Sequence, residues 1–299
     1  MPRFIMAVGI AGSGKSYLYE QMYPMAAHVS SDKIREEVFG DVNDQSHNGE
    51  VFNIMLQRTR EFLKSGADVY YDATNINAKR RINLLKEIAS ISDVVKICAL
   101  NVPPIEVVRE RNASRERKVP EYVIERMFKN FEIPHQSEGW DSIEVFGCDN
   151  NVEEIINILA TANEIPHDNH HHSETIGEHM RLASEYVADK MVSSEDRLHN
   201  NILRIAARFH DIGKPYCKVF HDARNNPTEE AHFYNHENVG AYIYLSHSLG
   251  ARYNLYIANL ILHHMDHYKQ GYMEKLAKRF DKDFINDLAI LNEADKAAH

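Results

Sequence analysis

The first residues able to do chemistry form a glycine-rich stretch near the start of the chain, GIAGSGKS at residues 9–16. It matches the pattern G-x-x-x-x-G-K-[ST], in which backbone N–H groups and the start of a helix wrap nucleotide phosphates. The apolar run Phe4–Val8 before it is typical of a β-strand, and the residues after it can continue as a helix. In this motif the lysine reaches the β- and γ-phosphates and the serine binds Mg²⁺. The sequence therefore predicts a site for ATP and Mg²⁺ formed by Gly12, Ser13, Gly14, Lys15 and Ser16.

Two polar clusters follow, each after a predicted strand. In HVSSDKIREE, Asp32 begins a helix and Arg35 lies one turn later on the same face. A carboxylate that accepts a proton and an arginine that holds the phosphate of the acceptor are the groups needed for phosphoryl transfer to a hydroxyl. The alternative is an N-cap aspartate with an exposed arginine. In ADVYYDATNINAKRR, Asp72, Thr74 and Asn75 cluster at the C-terminal end of a strand, the edge where open α/β sheets bind ligands.

A third cluster is basic. In NVPPIEVVRERNASRERKVP a strand ends at Val102, and a helix is predicted to follow. The second half of that helix is expected to carry Arg109, Arg111, Arg115, Arg117 and Lys118. These side chains form either a lid over a triphosphate or a solvated helix face.

The second half of the chain holds most of the 18 histidines and is predicted to be helical almost throughout. In NNILRIAARFHDIGKP the apolar residues Ile202, Ile205, Ala206 and Phe209 trace one helix face, and a His-Asp pair ends it. Other histidines and one aspartate lie on separate predicted helices. Such residues, directed into a helix bundle, suit Mn²⁺, Co²⁺, Ni²⁺, Zn²⁺ or Fe²⁺. The candidate metal ligands are His179, His210, Asp211, His236, His263, His264 and Asp295.

Three choices among these residues depend on local spacing. Ile257, Leu260 and Ile261 form an apolar stripe that favours His264 over His263 as the inward residue, with His263 kept as the alternative. Lys214 either neutralises a bound phosphate or caps a helix C-terminus. The run HHH at 170–172 lies in a loop ahead of a helix, so we expect His171 and His172 to line the mouth of the site rather than bind its metal.

Length and composition limit the remaining possibilities. A chain of 299 residues favours two domains, and we place them at 1–160, an α/β domain with a parallel sheet flanked by helices, and 161–299, an all-α domain. A formal charge of −10 argues against a protein that coats nucleic acid through bulk electrostatics. With three cysteines and no C-x-x-C pair, zinc ribbons and disulfide frameworks are excluded. No apolar run approaches a membrane span, and we expect a cytoplasmic protein with no membrane partner. The oligomeric state stays open.

The motifs of the first half resemble those of the phage-type 5′-hydroxyl polynucleotide kinases, which are P-loop phosphotransferases, over about residues 4–135. The resemblance implies Asp32 as the general base, Arg35 on the acceptor and Asp72 supporting the acceptor site. It implies Arg115 as the lid arginine that contacts phosphate, with Arg111 and Arg117 as alternatives.

The order H…HD…H…H…D in the second half resembles the HD superfamily of metal-dependent phosphohydrolases, over about residues 165–299. The resemblance implies a core metal site formed by His179, His210, Asp211 and Asp295. Asp211 would bridge two metals if a second is bound, and His236 with His263 or His264 would complete that second site.

A hydroxyl kinase joined to a metal phosphohydrolase makes sense if both activities repair the ends of the same broken nucleic acid. We therefore expect an enzyme that heals nucleic-acid ends, with RNA favoured but DNA left open as the alternative. It would phosphorylate a 5′-OH from ATP and remove 2′,3′-cyclic, 2′ or 3′ phosphates, and such ends suit a functional link to an RNA ligase. One alternative is a kinase of a nucleoside or other metabolite fused to an HD nucleotidase. Another is a nucleotide-gated switch controlling a degenerate HD domain. The sequence leaves the number and identity of the metals open.

Overall fold

The protein folds as two compact units. The structure, a computed structural model, describes residues 1–91, 93–170, 173–191, 196–248 and 252–298. The first unit contains Met1–Met127 and Pro134–Gly147, and the second contains Phe128–Ile133 and Cys148–His299. The boundary between the units therefore lies before residue 160, the boundary predicted from the sequence. Compact packing units and domains need not coincide, so the ranges 1–160 and 161–299 stay a prediction.

A five-stranded parallel sheet forms the centre of the first unit, in the order β2-β3-β1-β4-β5. The central strand β1 is buried from Phe4 to Val8, as expected for a strand with helices on both faces. Because all strand pairs are parallel, the strands end at one edge of the sheet. Their bounds are β1 Arg3–Val8, β2 Ala27–Ser30, β3 Val69–Asp72, β4 Val95–Asn101 and β5 Ser142–Phe146.

Helices flank this sheet, so the predicted α/β arrangement is confirmed. The longest helix packs through a stripe that repeats every four residues, Val51, Met55, Thr59 and Leu63. The helices are α1 Lys15–Met22, α2 Ser31–Phe39, α3 Asn48–Lys64, α4 Ala78–Ala89, α5 Ile105–Ala113 and α6 Glu121–Lys129.

The predicted basic helix is shorter than the sequence suggested. Helix α5 ends at Ala113, so Arg115, Arg117 and Lys118 lie in the loop that follows it and not on its second half. The side chain of Asn112 accepts a hydrogen bond from the Val119 N–H and donates one to the Val119 carbonyl. These two bonds close the loop and compete with continuation of the helix.

The second unit is mainly helical, as predicted, with one exception. Residues 218–233 form an antiparallel hairpin, β6 Lys218–His221 and β7 Pro227–Phe233. The Asp222 carboxylate accepts from the N–H groups of Arg224 and Asn226, and Asn225 adopts φ of +66°. These polar turn residues favour a hairpin over a helix. The helices are α7 Val152–Ala162, α8 Ile176–Lys190, α9 Arg197–Phe209, α10 Lys214–Cys217, α11 His236–His247, α12 Arg252–His263, α13 Tyr272–Ala277 and α14 Lys282–Ala297.

The buried faces of α9 and α12 set the direction of the histidines at the ends of these helices. The buried face of α9 contains Leu203, Ala206 and Ala207, so the face inferred from the sequence was displaced by about one residue. The predicted stripe on α12 is buried as expected and leads to His264, which is 1% exposed. No helix among the described residues is long and apolar enough to cross a membrane.

Candidate functional sites

The glycine-rich loop has a backbone that requires glycine at several positions, of which Gly14 and Gly9 are two. Gly14, directly before α1, adopts φ of +98°, in the region that side chains rarely adopt. A Cβ atom on Gly9 would lie 2.4 Å from the Ser13 Oγ and 2.8 Å from the Asn101 carbonyl oxygen. The Lys15 Nζ donates to the carbonyls of Gly9 (3.0 Å) and Ile10 (2.9 Å), so it lies across the loop where phosphates bind in this motif.

Asp72, at the end of β3, lies beside this loop. Its Oδ2 accepts from the Ser16 Oγ at 3.1 Å and lies 2.9 Å from the His28 Nε2. Burial raises the pKa of Asp72, but the hydrogen bond with His28 and the charge of Lys15 lower it by more. Desolvation lowers the pKa of the Lys15 ammonium, opposed by the charge of Asp72. A serine hydroxyl beside an ionised carboxylate is the oxygen pair that holds Mg²⁺ in P-loop proteins, so these residues fit Mg²⁺ with a nucleotide.

His28 is a member of this site that the sequence did not reveal. It lies on β2 next to Tyr70 of β3, and its ring stacks on Tyr19 with centroids 4.0 Å apart and planes at 22°. Its Nδ1 is buried with no hydrogen-bond partner among the described residues. The Nε2 therefore carries the proton and donates to Asp72.

Asp32 and Arg35 meet as the helical spacing predicted. Their side chains are 3.2 Å apart, and the Arg35 guanidinium also donates to the Asn48 Oδ1 at 2.6 Å. Arg35 is 5% exposed, whereas the Asp32 side chain is 57% exposed. Asp32 is thus open to an acceptor, and Arg35 is a buried cation held next to it.

The three basic residues named for the lid lie in different places. Arg111 donates to the Ser13 carbonyl at 3.1 Å, which places it on the glycine-rich loop. Arg117 lies 3.1 Å from the Asp32 Oδ2 and also donates to Asn43. The charge of Arg115 contributes to the lowered pKa of Lys15.

Most of these groups, although not Arg111, line one cavity of about 1530 Å³ in the first unit. Sites for a single small ligand are commonly about 300–1000 Å³, so this cavity has room for a nucleotide and an acceptor together. Its walls include the predicted site residues Gly12, Gly14, Lys15, Ser16, Asp32, Arg35, Asp72 and Arg115.

The loop after β3 is held by a buried ion pair. Arg81 and Glu138 have fully buried side chains and are joined by two hydrogen bonds of 2.8 and 2.7 Å. Arg81 also donates to the Asn75 carbonyl at 3.0 Å, and the Asn75 amide donates to the Ala7 carbonyl at 2.7 Å. The pair therefore fixes the loop that follows Asp72 against the end of β1.

In the second unit, the structure brings His179, His210, Asp211 and Asp295 together as a first group of metal-ligand candidates. The Nε2 atoms of His179 and His210 lie 3.2 Å apart. The Asp295 Oδ1 is 2.9 Å from the first and 3.3 Å from the second. Three separate segments thus point nitrogen and oxygen atoms at one buried position: α8 with His179, the end of α9 with His210 and Asp211, and α14 with Asp295.

A second group contains Asp211, His236 and His264. The Nε2 atoms of its two histidines are also 3.2 Å apart. The Asp211 Oδ1 lies 3.1 Å from His236 and 3.5 Å from His264, while its Oδ2 faces the first group at 3.4–3.5 Å. One carboxylate therefore divides its two oxygens between the groups, as a bridging ligand does.

The four histidines of the two groups are oriented by the same kind of hydrogen bond. In each, the Nδ1 donates to a backbone carbonyl at 2.7–2.9 Å, which leaves the Nε2 lone pair directed inward. Paired imidazole lone pairs repel each other unless a proton or a metal ion lies between them. The donor set, its fixed tautomers and its shared carboxylate fit one or two divalent transition metals. The accepting carbonyls belong to Ala298, Ala207, Phe233 and Ile261.

The electrostatics of these groups favour positive charge. Burial lowers the pKa of His210, but the charges of Asp211 and Asp295 raise it by more, to about 10. Burial raises the pKa of the Asp211 carboxyl, but the charges of Lys214 and His210 lower it by more and hold it well below its usual range. Lys214 is buried and lies 2.6 Å from the Asp211 Oδ2, so it contacts the ligand carboxylate.

The other histidines named from the sequence have different outcomes. His263 belongs to neither group among the described residues, and its Nδ1 lies 2.6 Å from the Asp266 carboxylate. His171 and His172 lie outside the described residues. Tyr268, which the sequence did not single out, donates to the Asp295 Oδ2 at 3.0 Å and positions that carboxylate.

Comparison with known proteins finds two families that match separate regions of the chain. A family described as an AAA domain matches residues 4–134, and a family described as an HD domain matches residues 169–298. Among curated proteins, an L-seryl-tRNA(Sec) kinase of Methanococcus maripaludis is 28% identical over 168 residues, which is 56% of this chain. The match covers 64% of that kinase, so the chain spans less than two thirds of the length of this relative.

These matches agree with the motifs and with the two groups of side chains. The expected P-loop and HD combination is confirmed, whereas a phage-type specificity stays a prediction. The chain therefore joins an N-terminal kinase-like P-loop domain, which matches the AAA family, to a C-terminal HD domain.

Proposed function

We propose that the protein heals nucleic-acid ends, RNA rather than DNA. Its P-loop domain would transfer the γ-phosphate of ATP to a 5′-OH, and its HD domain would hydrolyse a 2′,3′-cyclic, 2′ or 3′ phosphate. The observation that carries the proposal is the buried Arg35 beside the exposed Asp32 in the kinase cavity.

Arg35 indicates the kind of acceptor. A buried guanidinium needs charged or hydrogen-bonding partners, and the Arg35 Nε has none among the described residues. A phosphate next to the reacting hydroxyl would supply them. The terminal nucleotide of a 5′-OH strand carries such a phosphate on its 3′ side, whereas a free nucleoside has none.

The residues of the first unit can perform the transfer. Asp32 accepts the proton of the acceptor hydroxyl. The hydroxyl oxygen forms a bond to the γ-phosphorus, and the bond between that phosphorus and the β–γ bridging oxygen breaks, so that ADP leaves. Lys15 neutralises the phosphate oxygens. Ser16 and Asp72 share a hydrogen bond, so we assign Asp72 to Mg²⁺ instead of the acceptor site that the resemblance implied, and these two residues would hold the ion. Bound Mg²⁺ supplies charge neutralisation on the triphosphate.

In the second unit, the two groups that share Asp211 would hold the metal. A divalent metal bound there would supply polarisation of a phosphoryl oxygen and a lower pKa of bound water. His179, His210, Asp211 and Asp295 would hold one metal, and Asp211, His236 and His264 would hold a second if two are bound. Lys214, whose ammonium lies next to Asp211, would attract the phosphate of the substrate.

The M. maripaludis relative supports a second candidate for the kinase half. Its name gives L-seryl-tRNA(Sec), a hydroxyl carried on RNA, as what it phosphorylates. This chain would then phosphorylate a hydroxyl that is carried by an RNA but is not the 5′-OH of that RNA. The nucleoside or metabolite kinase fused to a nucleotidase remains the small-molecule rival.

One substrate tests both halves. An oligoribonucleotide with a 5′-OH and a 2′,3′-cyclic phosphate, incubated with γ-labelled ATP, Mg²⁺ and Mn²⁺, should gain label at its 5′ end and lose its cyclic phosphate. Lys15→Ala should abolish only the labelling, and Asp211→Asn only the phosphate removal. Preferential labelling of seryl-tRNA or free nucleosides in competition would favour the rivals, and unchanged ends would refute the proposal. Phosphatase activity that survives in an Asp211→Ala variant would revive the nucleotide-gated switch.

A further inference from the structure

A groove leads away from Asp32 and Arg35 between helices α3 and α4. Helix α3 begins at Asn48, whose side chain accepts from Arg35. Asn48, Phe52 and Leu56 all line the cavity and recur every four residues, so they share one face of α3. That face extends about 12 Å beyond Asn48, given a rise of 1.5 Å per residue.

Helix α4 supplies the opposite wall. Asn83, Leu84 and Glu87 line the same cavity with the spacing of one helix face. Arg60 of α3 pairs with Glu87 of α4, which joins the two helices. The groove therefore starts at the acceptor arginine and ends at this ion pair.

The middle of the groove has the chemistry of a nucleobase site. Phe52, Leu56 and Leu84 are half-buried and offer one aromatic and two aliphatic surfaces. Asn83 is exposed and carries both a donor and an acceptor. Unpaired bases are bound in this way, by stacking on an aromatic ring with hydrogen bonds to the base edge. Phe52, Leu56, Leu84 and Asn83 are uncharged, and the cation that lines the cavity one turn before Leu84 is Arg80. The middle of the groove therefore suits a base, and the phosphate is assigned to the buried Arg35.

We infer that this groove, named here the α3/α4 groove, holds the 5′-terminal nucleobase of the acceptor strand, stacked on Phe52. The inference rests on the proposed kinase function and adds a specificity site to it. With the base in the groove and the adjacent phosphate on Arg35, the 5′ hydroxyl lies towards Asp32. Binding energy from the base would then orient the hydroxyl for transfer.

The test compares two 5′-OH oligonucleotides that differ only in whether the 5′-terminal residue has a base or is abasic. Wild-type protein should phosphorylate the complete strand with a KM about 10-fold or more below that of the abasic strand. Phe52→Ala should raise the KM for the complete strand to the abasic value and leave the abasic KM unchanged. Phe52→Tyr keeps a ring and should restore the preference.

Phe62→Ala is the matched control, because Phe62 lies on the same helix, is 40% exposed and is absent from the cavity lining. It should preserve the preference for the complete strand. Equal KM values for the two strands in wild-type protein, or an equal rise in both with Phe52→Ala, would overturn the inference while the kinase function stands. Transfer to neither strand would overturn the kinase function together with the inference.

Discussion

At the scale of single residues, both candidate sites depend on side chains that orient the groups expected to do chemistry. His28 donates to Asp72, and Tyr268 donates to Asp295. The four inward histidines are each fixed through Nδ1. Such partners fix the direction of lone pairs, and losing one commonly lowers metal affinity about 10–100-fold.

The first prediction concerns His28. His28→Ala removes the donor to Asp72, so the Mg²⁺ concentration for half-maximal phosphoryl transfer should rise about 10-fold. His28→Gln places an amide nitrogen near the position of Nε2 and should restore most of the affinity, whereas His28→Asn is too short to do so. Kinetics at varied Mg²⁺ with saturating ATP measure this effect.

A purely structural role for His28 would give another pattern. Gln and Asn would then fail or succeed together, and the loss would appear in the amount of folded protein rather than in the Mg²⁺ dependence. Equal Mg²⁺ curves for the wild type and His28→Ala would refute the positioning role.

At the scale of elements, a few ion pairs hold the sheet and the loops around the kinase site. The buried pair Arg81–Glu138 joins α4 to the turn before β5 and supports the loop at Asn75. The pair Arg3–Asp68 joins the start of β1 to the segment before β3. The first is buried and the second is largely exposed to solvent, so they should differ in strength.

The second prediction is that Glu138→Gln lowers the free energy of unfolding by about 3–5 kcal/mol, because it leaves the buried Arg81 cation without its carboxylate. Urea unfolding of the variant and the wild type measures the change. Glu37→Gln is the matched control, since it breaks an exposed pair with Arg58 and should have a much smaller effect. A similar change in the two variants would contradict the argument.

The third prediction concerns pH. Burial raises the pKa of Asp68, but the hydrogen bonds from Arg3 lower it by more, so its folded pKa lies below the unfolded value. The stability that it contributes is therefore present above about pH 4 and is lost as the pH falls through the folded pKa. Asp68→Asn should reduce the free energy of unfolding by about 0.2–1 kcal/mol at pH 7, with a smaller difference near pH 3.5. A difference that grows on acidification in urea titrations would refute this sign.

At the scale of the whole molecule, each candidate site is formed inside one compact unit. The nucleotide cavity is lined by residues of the first unit, and both metal-ligand groups lie in the second. Ligands of one unit should therefore change the stability of that unit through its own folding equilibrium.

The fourth prediction is that Mn²⁺ or Zn²⁺ stabilises the HD domain. At a metal concentration 100-fold above Kd the gain is about 2.7 kcal/mol, which raises the melting temperature of a domain of this size by about 5–10 °C. Calorimetry with and without a chelator measures the shift. Asp211→Asn should abolish it and Lys15→Ala should keep it. An unchanged melting temperature in the wild type at saturating metal would contradict the metal assignment.

The sequence by itself determined the parts of this protein whose chemistry is encoded locally. The loop at 9–16, the Asp32–Arg35 spacing and the His210-Asp211 pair lie within short segments, where one turn or one helix face sets the relation between residues. The order of the other HD ligands along the chain was also readable from the sequence, but not their meeting in space. The choice of His264 over His263 as the inward residue also followed from a helical stripe, and the structure places His264 in the second group.

Only the tertiary structure decided how distant segments meet. His28 and Asp72 are 44 residues apart and come together because β2 pairs with β3 in parallel register. The division of the two Asp211 oxygens between the histidine pairs depends on how several helices pack. The hairpin at 218–233 and the end of α5 depend on side-chain bonds to the backbone that override the local helical pattern. Strand order and helix phase are set by the packing of the entire core, which local periodicity does not encode.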